Sequence, residues 1–212
     1  MNVVPDTAHL VPTVHRSPYS SLSPLRPELN QSGRTILITG SSAGIGFAIA
    51  RAYAEASASK IILTGRRSDV LQQAATQLSH LFPDVDVIPR VCDVGNAQES
   101  ASLWSTLEND GIFVDVLVLN AARFGQQSQI LLEADLDETW NLYETNVKAI
   151  LDFSQRLHKQ RDTEGKKKVC AQLNPCSENK EQTLTYINSI SFMYRRLLSI
   201  VHLLRLLYQV TL

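Results

Sequence analysis

The strongest constraint on this chain is the run Thr39-Gly40-Ser41-Ser42-Ala43-Gly44-Ile45-Gly46, which follows a short apolar segment and precedes apolar residues at helical spacing. A strand ending at Thr39-Gly40 and a helix opening near Gly44 make the first half of a βαβ unit. Gly40 suits a tight turn, while Gly44 and Gly46 allow close approach of a phosphate group and of the helix to the strand. The N-terminus of such a helix attracts an anion through unpaired N–H groups and its dipole. The spacing is GxxxGxG rather than the commoner GxGxxG, and glycines also mark ordinary loops. Only the strand before it and the amphipathic helix after it make this turn a phosphate cradle.

From Arg34 onward, short apolar runs alternate with helical patterns, which predicts parallel βαβ units. The expected strands are 35–39, 60–64, 85–91, 114–119 and 185–190. Between them, Ile45, Ala48, Ile49 and Ala52, then Leu71, Ala74, Leu78 and Leu81, then Trp140, Tyr143, Val147, Ile150 and Leu151 recur at helical spacing and are expected to pack in the core. Pro89 lies inside the third strand, where it would be costly in a central position. In a doubly wound sheet of order 3-2-1-4-5 the third strand lies at the edge, so the proline supports that order.

With 212 residues, 44% apolar and 19% charged, the chain has material for one ordinary soluble domain. Its net charge of −1 is uneven: residues 166–212 hold seven Lys or Arg against two Asp or Glu, +5, which leaves −6 for the remainder. Cys92, Cys170 and Cys176 form no CxxC pair and have no histidine at ligand spacing, so neither a disulfide framework nor a metal site is indicated. A reducing, cytoplasmic setting fits best. Residues 1–32 contain five of the eight prolines, with no basic start followed by an apolar run, and read as a flexible arm rather than a secretory signal.

The glycine run has the form TGxxxGIG, and with it the chain resembles the classical branch of the short-chain dehydrogenase/reductase family. That resemblance implies a Rossmann-like α/β fold and a nicotinamide cofactor. Thr64-Gly65-Arg66-Arg67 follows the second strand with no acid at its end to hold both ribose hydroxyls; Arg66 instead offers a planar cation to a 2′-phosphate, which favours NADP(H). Two solvated loop arginines are the alternative. Asp93, in Cys92-Asp93-Val94, resembles the family's adenine contact, although an aspartate there also caps a turn. Asn120, in Leu119-Asn120-Ala121-Ala122, matches the residue that steadies the central strand; the family usually has Asn-Asn-Ala-Gly, so Leu119 and Ala122 depart from it. Thr145-Asn146-Val147-Lys148 resembles the segment whose asparagine interrupts the fourth helix and holds a water of the proton relay, the alternative being a polar residue on an exposed helix face. Cofactor contacts are thus expected from Gly40, Ser42, Gly44, Ile45, Gly46, Arg66, Asp93, Asn120 and Lys148.

The fifth strand, Tyr186-Ile187-Asn188-Ser189-Ile190-Ser191, resembles the family strand ending Asn-x-Ser-Ser, which puts Ser191 at the catalytic serine or leaves it an ordinary strand-end serine. The family's tyrosine follows that serine by about a dozen residues and has a lysine four positions, one helical turn, later. A free tyrosine has a pKa of about 10, and the adjacent ammonium brings it toward working pH. Position 204 is leucine here. Tyr194 is followed at the fourth place by Leu198 and Tyr208 by Leu212, and no lysine occurs after Lys180. Tyr208 is a degraded match to the catalytic tyrosine at best.

The resemblance covers roughly residues 34–191, most closely before 157. Residues 162–182, with Lys166-Lys167-Lys168, form a longer polar connection than the fourth helix needs to reach a fifth strand. Residues 192–212 are leucine-rich and basic. Together with the family's remaining strands, substrate loop and dimer helix, which find no match, these segments predict a truncated or mis-spliced product. Arg205 and His202 interrupt the tail's apolar run, so it is not expected to span a membrane. Leu197, Ile200, Val201, Leu204 and Tyr208 instead suit an amphipathic helix that touches a membrane surface or, preferably, covers the sheet face left bare by the missing helices. The triple lysine reads as a solvated loop, and a near-neutral chain gives no support for nucleic-acid binding. The N-terminal lead-in resembles fungal members of the family, some of which act in secondary metabolism. The expected activity is hydride transfer between NADP(H) and a small-molecule carbonyl or alcohol, impaired here; a cofactor-binding remnant without catalysis, or a partner-binding tail, are the alternatives.

Overall fold

The computed structural model describes residues 23–124, 134–161 and 168–172. Five parallel strands, β1 (Thr35–Ile38), β2 (Lys60–Gly65), β3 (Asp86–Val91), β4 (Val116–Leu119) and β5 (Val169–Gln172), form one sheet of order β3-β2-β1-β4-β5. The helices between them are α1 (Gly44–Glu55), α2 (Ser68–Leu81), α3 (Ala97–Asn109), and α4 (Leu136–Tyr143) running through a π-turn (Glu144–Lys148) into α5 (Ala149–Lys159). This is the doubly wound, Rossmann-like α/β architecture, with the expected strand order.

The side-chain alternation of each strand splits the core in two. Ile36, Ile38, Ile61, Leu63, Val116 and Val118 face α1 and α2, meeting Ile49, Tyr53, Leu71 and Leu78. Leu37, Ile62, Leu117 and Leu119 face the other way, against Leu103, Trp104 and Leu107 of α3 and Phe153 and Leu157 of α5. Both faces of the central strands are therefore covered, which is why they read as continuous apolar runs rather than alternating ones. Burying each of these large side chains contributes about 1.5–3 kcal/mol against leaving it in water.

Pro89 sits on the edge strand, in register with Leu63 of β2. Lacking an N–H, it costs nothing on the unpaired side, so the edge placement inferred from the proline holds. Before β1, Pro27–Leu29 forms a short 3-10 turn, Leu29 packs against the first core, and the Gln31 N–H donates to the Ala56 carbonyl at 2.8 Å.

Two expectations are corrected. The fifth place in the sheet is filled by Val169–Gln172, inside the segment expected to be a polar connection, while residues 185–190 lie outside the described residues. Val169, Cys170 and Ala171 directly after three lysines are a short strand whose apolar content is too small to stand out in sequence, yet the Val169 N–H donates to the Asp115 carbonyl at 2.9 Å and the register continues beside β4. The stripe Trp140, Tyr143, Val147 and Leu151 is exposed rather than core, as is Leu81 at the end of α2; Ile150 is half-buried. The long helix uses Ala149, Phe153 and Leu157 to face the sheet, and a helix has only one side toward it.

Candidate functional site

The carboxyl ends of β1 and β4 meet where the sheet reverses its strand order, the place where doubly wound sheets hold ligands. The glycine turn is built there. Gly40 has φ +65° and Gly44 φ +57°, left-handed values that glycine adopts without steric cost. At Gly40 an added Cβ would also come within 2.9 Å of the Ala121 Cα. At Gly46 it would fall onto the Gly40 carbonyl oxygen and lie 2.6 Å from the Asn120 Nδ2, so this glycine lets α1 press against the turn. Gly44 differs: a Cβ there would meet nothing within 4 Å, because that side of the turn is open.

Ala43, the residue before α1, has an extended backbone and provides no side-chain cap. The first helical bond within this turn runs from the Phe47 N–H to the Ala43 carbonyl, so the N–H groups of Gly44, Ile45 and Gly46 have no partner among the described residues. An open cradle edged by uncapped N–H groups fits a diphosphate.

Buried hydroxyls fix the turn from below. Ser41 Oγ donates to the Ile38 carbonyl and accepts from the Thr64 N–H, both at 2.9 Å, tying the ends of β1 and β2. Thr39 Oγ1 accepts from the N–H groups of Asn120 at 2.9 Å and Ala121 at 3.0 Å, while Asn120 Nδ2 donates to the carbonyls of Thr39 at 3.0 Å and Gly40 at 2.9 Å. Asn120 is thus the cross-tie that its sequence match implies. Its neighbour Leu119 is buried in the second core, and Ala122 needs no left-handed backbone, since Ser57 alone among the described non-glycine residues has a positive φ.

Ser42 and Arg66 lie on the β2 side. A Cβ at Gly65 would come 3.2 Å from Ser42 Oγ, so that glycine gives the serine its place. Arg66 and Arg67 are exposed, and among the described residues neither is engaged by an acid. After β3, Asp93 Oδ1 accepts from the Gly95 N–H at 3.0 Å, the turn-capping arrangement allowed for in the sequence. A Cβ at Gly95 would come 2.9 Å from Thr145 Oγ1, which brings this turn against the π-turn.

The π-turn interrupts the long helix at Asn146, as expected. Asn146 Oδ1 accepts from the Arg123 N–H at 2.9 Å, and its Nδ2 donates to the Arg123 carbonyl at 2.8 Å. Both ends of the amide are used to hold the segment leaving β4, so the residue is not a bystander on an exposed helix face. Lys148 is exposed and pairs with Glu144 at 3.4 Å, one turn back. Ser191 and Tyr208 lie outside the described residues, as does Cys176. Among the described residues no three His, Cys, Asp or Glu side chains gather as a metal site, and no helix is long and apolar enough to cross a membrane.

A family model for short chain dehydrogenases matches residues 34–170, from the lead into β1 through the start of β5. The chain belongs to the short-chain dehydrogenase family. A fission-yeast relative, the NADP-dependent 3-hydroxy acid dehydrogenase of Schizosaccharomyces pombe, is 29% identical over 123 residues, covering 58% of this chain and 47% of the relative. A short chain dehydrogenase/reductase of Claviceps purpurea is 26% identical over 189 residues, 89% of this chain and 57% of the relative. Among solved structures, L-sorbose reductase from Gluconobacter frateurii, complexed with NADPH and L-sorbose, is 33% identical with a TM-score of 0.54, covering 60% of this chain and 47% of that one. The chain spans about half the length of the curated relatives it matches.

Within this short-chain dehydrogenase domain, four participants carry no role in the sequence reading: Thr39, Ser41, Arg123 and Thr145. Thr39 and Ser41 stand inside the glycine motif and were legible as polar residues beside a strand end, where a buried hydroxyl must find partners. Arg123 acts through its backbone alone, which no side-chain pattern reveals.

Proposed function

We propose that this domain binds NADP(H), with Gly40, Ser42, Gly44, Ile45 and Gly46 receiving the diphosphate, Arg66 the 2′-phosphate, and Asp93 and Asn120 the adenosine side. The observation that carries this reading is the open face of Gly44 beside uncapped N–H groups at the start of α1. An exposed guanidinium at Arg66, with no acid engaging it among the described residues, adds a cation where a 2′-phosphate needs one. NADP dependence in the Schizosaccharomyces relative and NADPH in the sorbose reductase structure support the same choice.

The bound nicotinamide would supply or accept a hydride in exchange with a small-molecule carbonyl or alcohol. Proton movement would fall to this chain's own groups. Asn146 holds the segment after β4 in place and is the relay candidate, and Ser191 and Tyr208 are the candidates for substrate contact and proton transfer. We infer that this step is impaired, because none of the six tyrosines has a lysine four residues after it, whichever strand end carries the serine. The second reading, a cofactor-binding protein without catalysis, rests on the same missing tyrosine–lysine pair. Lys148, exposed and 3.4 Å from Glu144, is the remaining candidate for a cofactor contact.

A titration of the purified chain with NADPH, followed by reduced-nicotinamide fluorescence and repeated with NADH and with Arg66→Ala, tests the proposal. Saturable binding that prefers NADPH and loses that preference in the variant is the expected result. A folded chain that binds neither nucleotide would overturn it.

A further inference from the structure

Between β3 and α3 the chain turns from Asp93 to Asn96. The Asn96 N–H donates to the Asp93 carbonyl at 2.9 Å, and the Gly95 N–H donates to Asp93 Oδ1 at 3.0 Å. Asn96 then caps α3, its Oδ1 accepting from the N–H groups of Gln98 at 3.0 Å and Glu99 at 3.3 Å. Glu99 is the third residue of the helix, the place from which a capping-box glutamate bonds back to the capping residue's own N–H. Here Asp93 already occupies that N–H. Glu99 reaches three residues further back instead: its Oε2 accepts from the Asp93 N–H at 2.7 Å, while its Oε1 accepts from Asn96 Nδ2 at 3.1 Å.

Capping the helix does not require this longer reach, because Asn96 already serves two of the free N–H groups at the start of α3. What the bond fixes is Asp93. Its N–H, its carbonyl and its Oδ1 are all engaged, so backbone and side chain are held together, and Oδ2 is the one polar atom of the residue without a partner among the described residues. Asp93 is half-buried, whereas Glu99 is exposed on the far side of the turn. The turn stands at the cofactor edge of the sheet: the Cys92 N–H donates to the Gly65 carbonyl at 3.1 Å, one residue before Arg66. It is also closed in from α4 and α5, since a Cβ at Gly95 would come 2.9 Å from Thr145 Oγ1.

We propose that Glu99 is a positioning residue for the nucleotide base. By holding the Asp93 backbone it aims Asp93 Oδ2 at a purine bearing an exocyclic amine, so that the site selects adenine over a 6-oxo purine. The inference rests on the NADP(H) reading above, in which Asp93 meets the adenosine side. An amine donates to a carboxylate oxygen, whereas a 6-oxo group sets a second acceptor against it and is repelled.

The test titrates the full chain and three variants, Glu99→Ala, Glu99→Asp and Glu99→Gln, with NADPH and with its reduced hypoxanthine analogue, in which a 6-oxo group replaces the 6-amino group. Nicotinamide fluorescence reads both. The wild type is expected to bind NADPH about tenfold more tightly than the analogue. Glu99→Ala removes the acceptor, and Glu99→Asp keeps an acidic charge at the start of α3 but is one methylene shorter and loses the reach to Asp93. Both are expected to lose most of the preference while binding the analogue as the wild type does. Glu99→Gln keeps an acceptor at full length and is expected to retain the preference. Should the alanine variant unfold, Glu99→Asp carries the test. A preference unchanged in Glu99→Ala and Glu99→Asp overturns the inference, and so does an equal weakening of both nucleotides, which is what a helix cap alone would give. A wild type that binds both nucleotides equally overturns it and leaves NADP(H) binding standing; a folded wild type that binds neither removes the NADP(H) reading and this inference with it.

Discussion

Asn120 donates to Thr39 twice: its side-chain amide nitrogen to the Thr39 carbonyl at 3.0 Å, and its backbone N–H to Thr39 Oγ1 at 2.9 Å. The end of β4 and the start of the glycine turn therefore move as one piece. Because Asn120 Nδ2 also reaches the Gly40 carbonyl, Asn120→Ala leaves two carbonyls without that donor at a half-buried site. The expected cost is about 1–3 kcal/mol of stability. Urea unfolding should show a lower midpoint with an unchanged slope, and NADPH binding should weaken as the turn loosens. Wild-type values for both would mean that the tie carries no weight.

Tyr53 presents the opposite case. Its ring is fully buried in α1 against the first core, yet its hydroxyl has no hydrogen-bond partner among the described residues. Burial without a partner is unfavourable, so Tyr53→Phe removes a desolvated group and no bond. The variant is expected to be about 1 kcal/mol more stable, read as a higher denaturant midpoint. A destabilised variant would show that the hydroxyl is partnered in solution.

The parts of this fold that were legible in sequence are those where one residue type permits one backbone. Pro89 marked an edge strand because it lacks a donor, and Gly40 and Gly44 marked a turn because their φ values are positive. The fifth strand was not legible, because Val169-Cys170-Ala171 follows three lysines and is too short to show a period, whereas 185–190 looks more strand-like in isolation. Pairing with β4 decided it. Helical spacing likewise found the stripe from Trp140 to Leu151 but not its direction. A second apolar set, Ala149, Phe153 and Leu157, occupies the other side of the helix and is the one that meets the sheet. Within the site, the two hydrogen bonds between Asn146 and Arg123 depend on a backbone position that sequence alone leaves undefined.

A pH dependence follows from Cys92. Burial pushes its thiol up to about 11; a bond from Ser100 opposes this, and the nearby acids Glu99, Asp93 and Asp152 add to the rise. An unfolded cysteine ionises near 8.5. The unfolded chain therefore loses its proton first, so the stabilisation is complete below about pH 8.5 and is lost as pH climbs toward 11, at about 1.4 kcal/mol per pH unit. Cys170 and Tyr53 are raised too and act in the same direction, so the comparison must be with Cys92→Ala. Denaturant midpoints measured from pH 7.5 to 10.5 should fall less steeply in the variant. Parallel slopes would show that the thiol is not coupled to folding.

Gly44 and Gly46 stand two residues apart and should fail in different ways. At Gly46 a methyl group would strike the Gly40 carbonyl and the Asn120 amide, and neither can retreat without opening the cross-tie to Thr39. Gly46→Ala is therefore expected to unfold the turn, with a stability loss of about 2–4 kcal/mol and loss of NADPH binding together. At Gly44 a methyl group would meet open space, and the cost is only that of an alanine at φ +57°, about 1–2 kcal/mol. That open space is the face assigned to the diphosphate. Gly44→Ala should consequently keep a cooperative unfolding transition while binding NADPH much more weakly, whereas Gly46→Ala loses both. Thermal unfolding and nicotinamide fluorescence on the same two samples separate the outcomes. If Gly44→Ala bound NADPH as tightly as the wild type, the diphosphate would have to lie elsewhere on the turn.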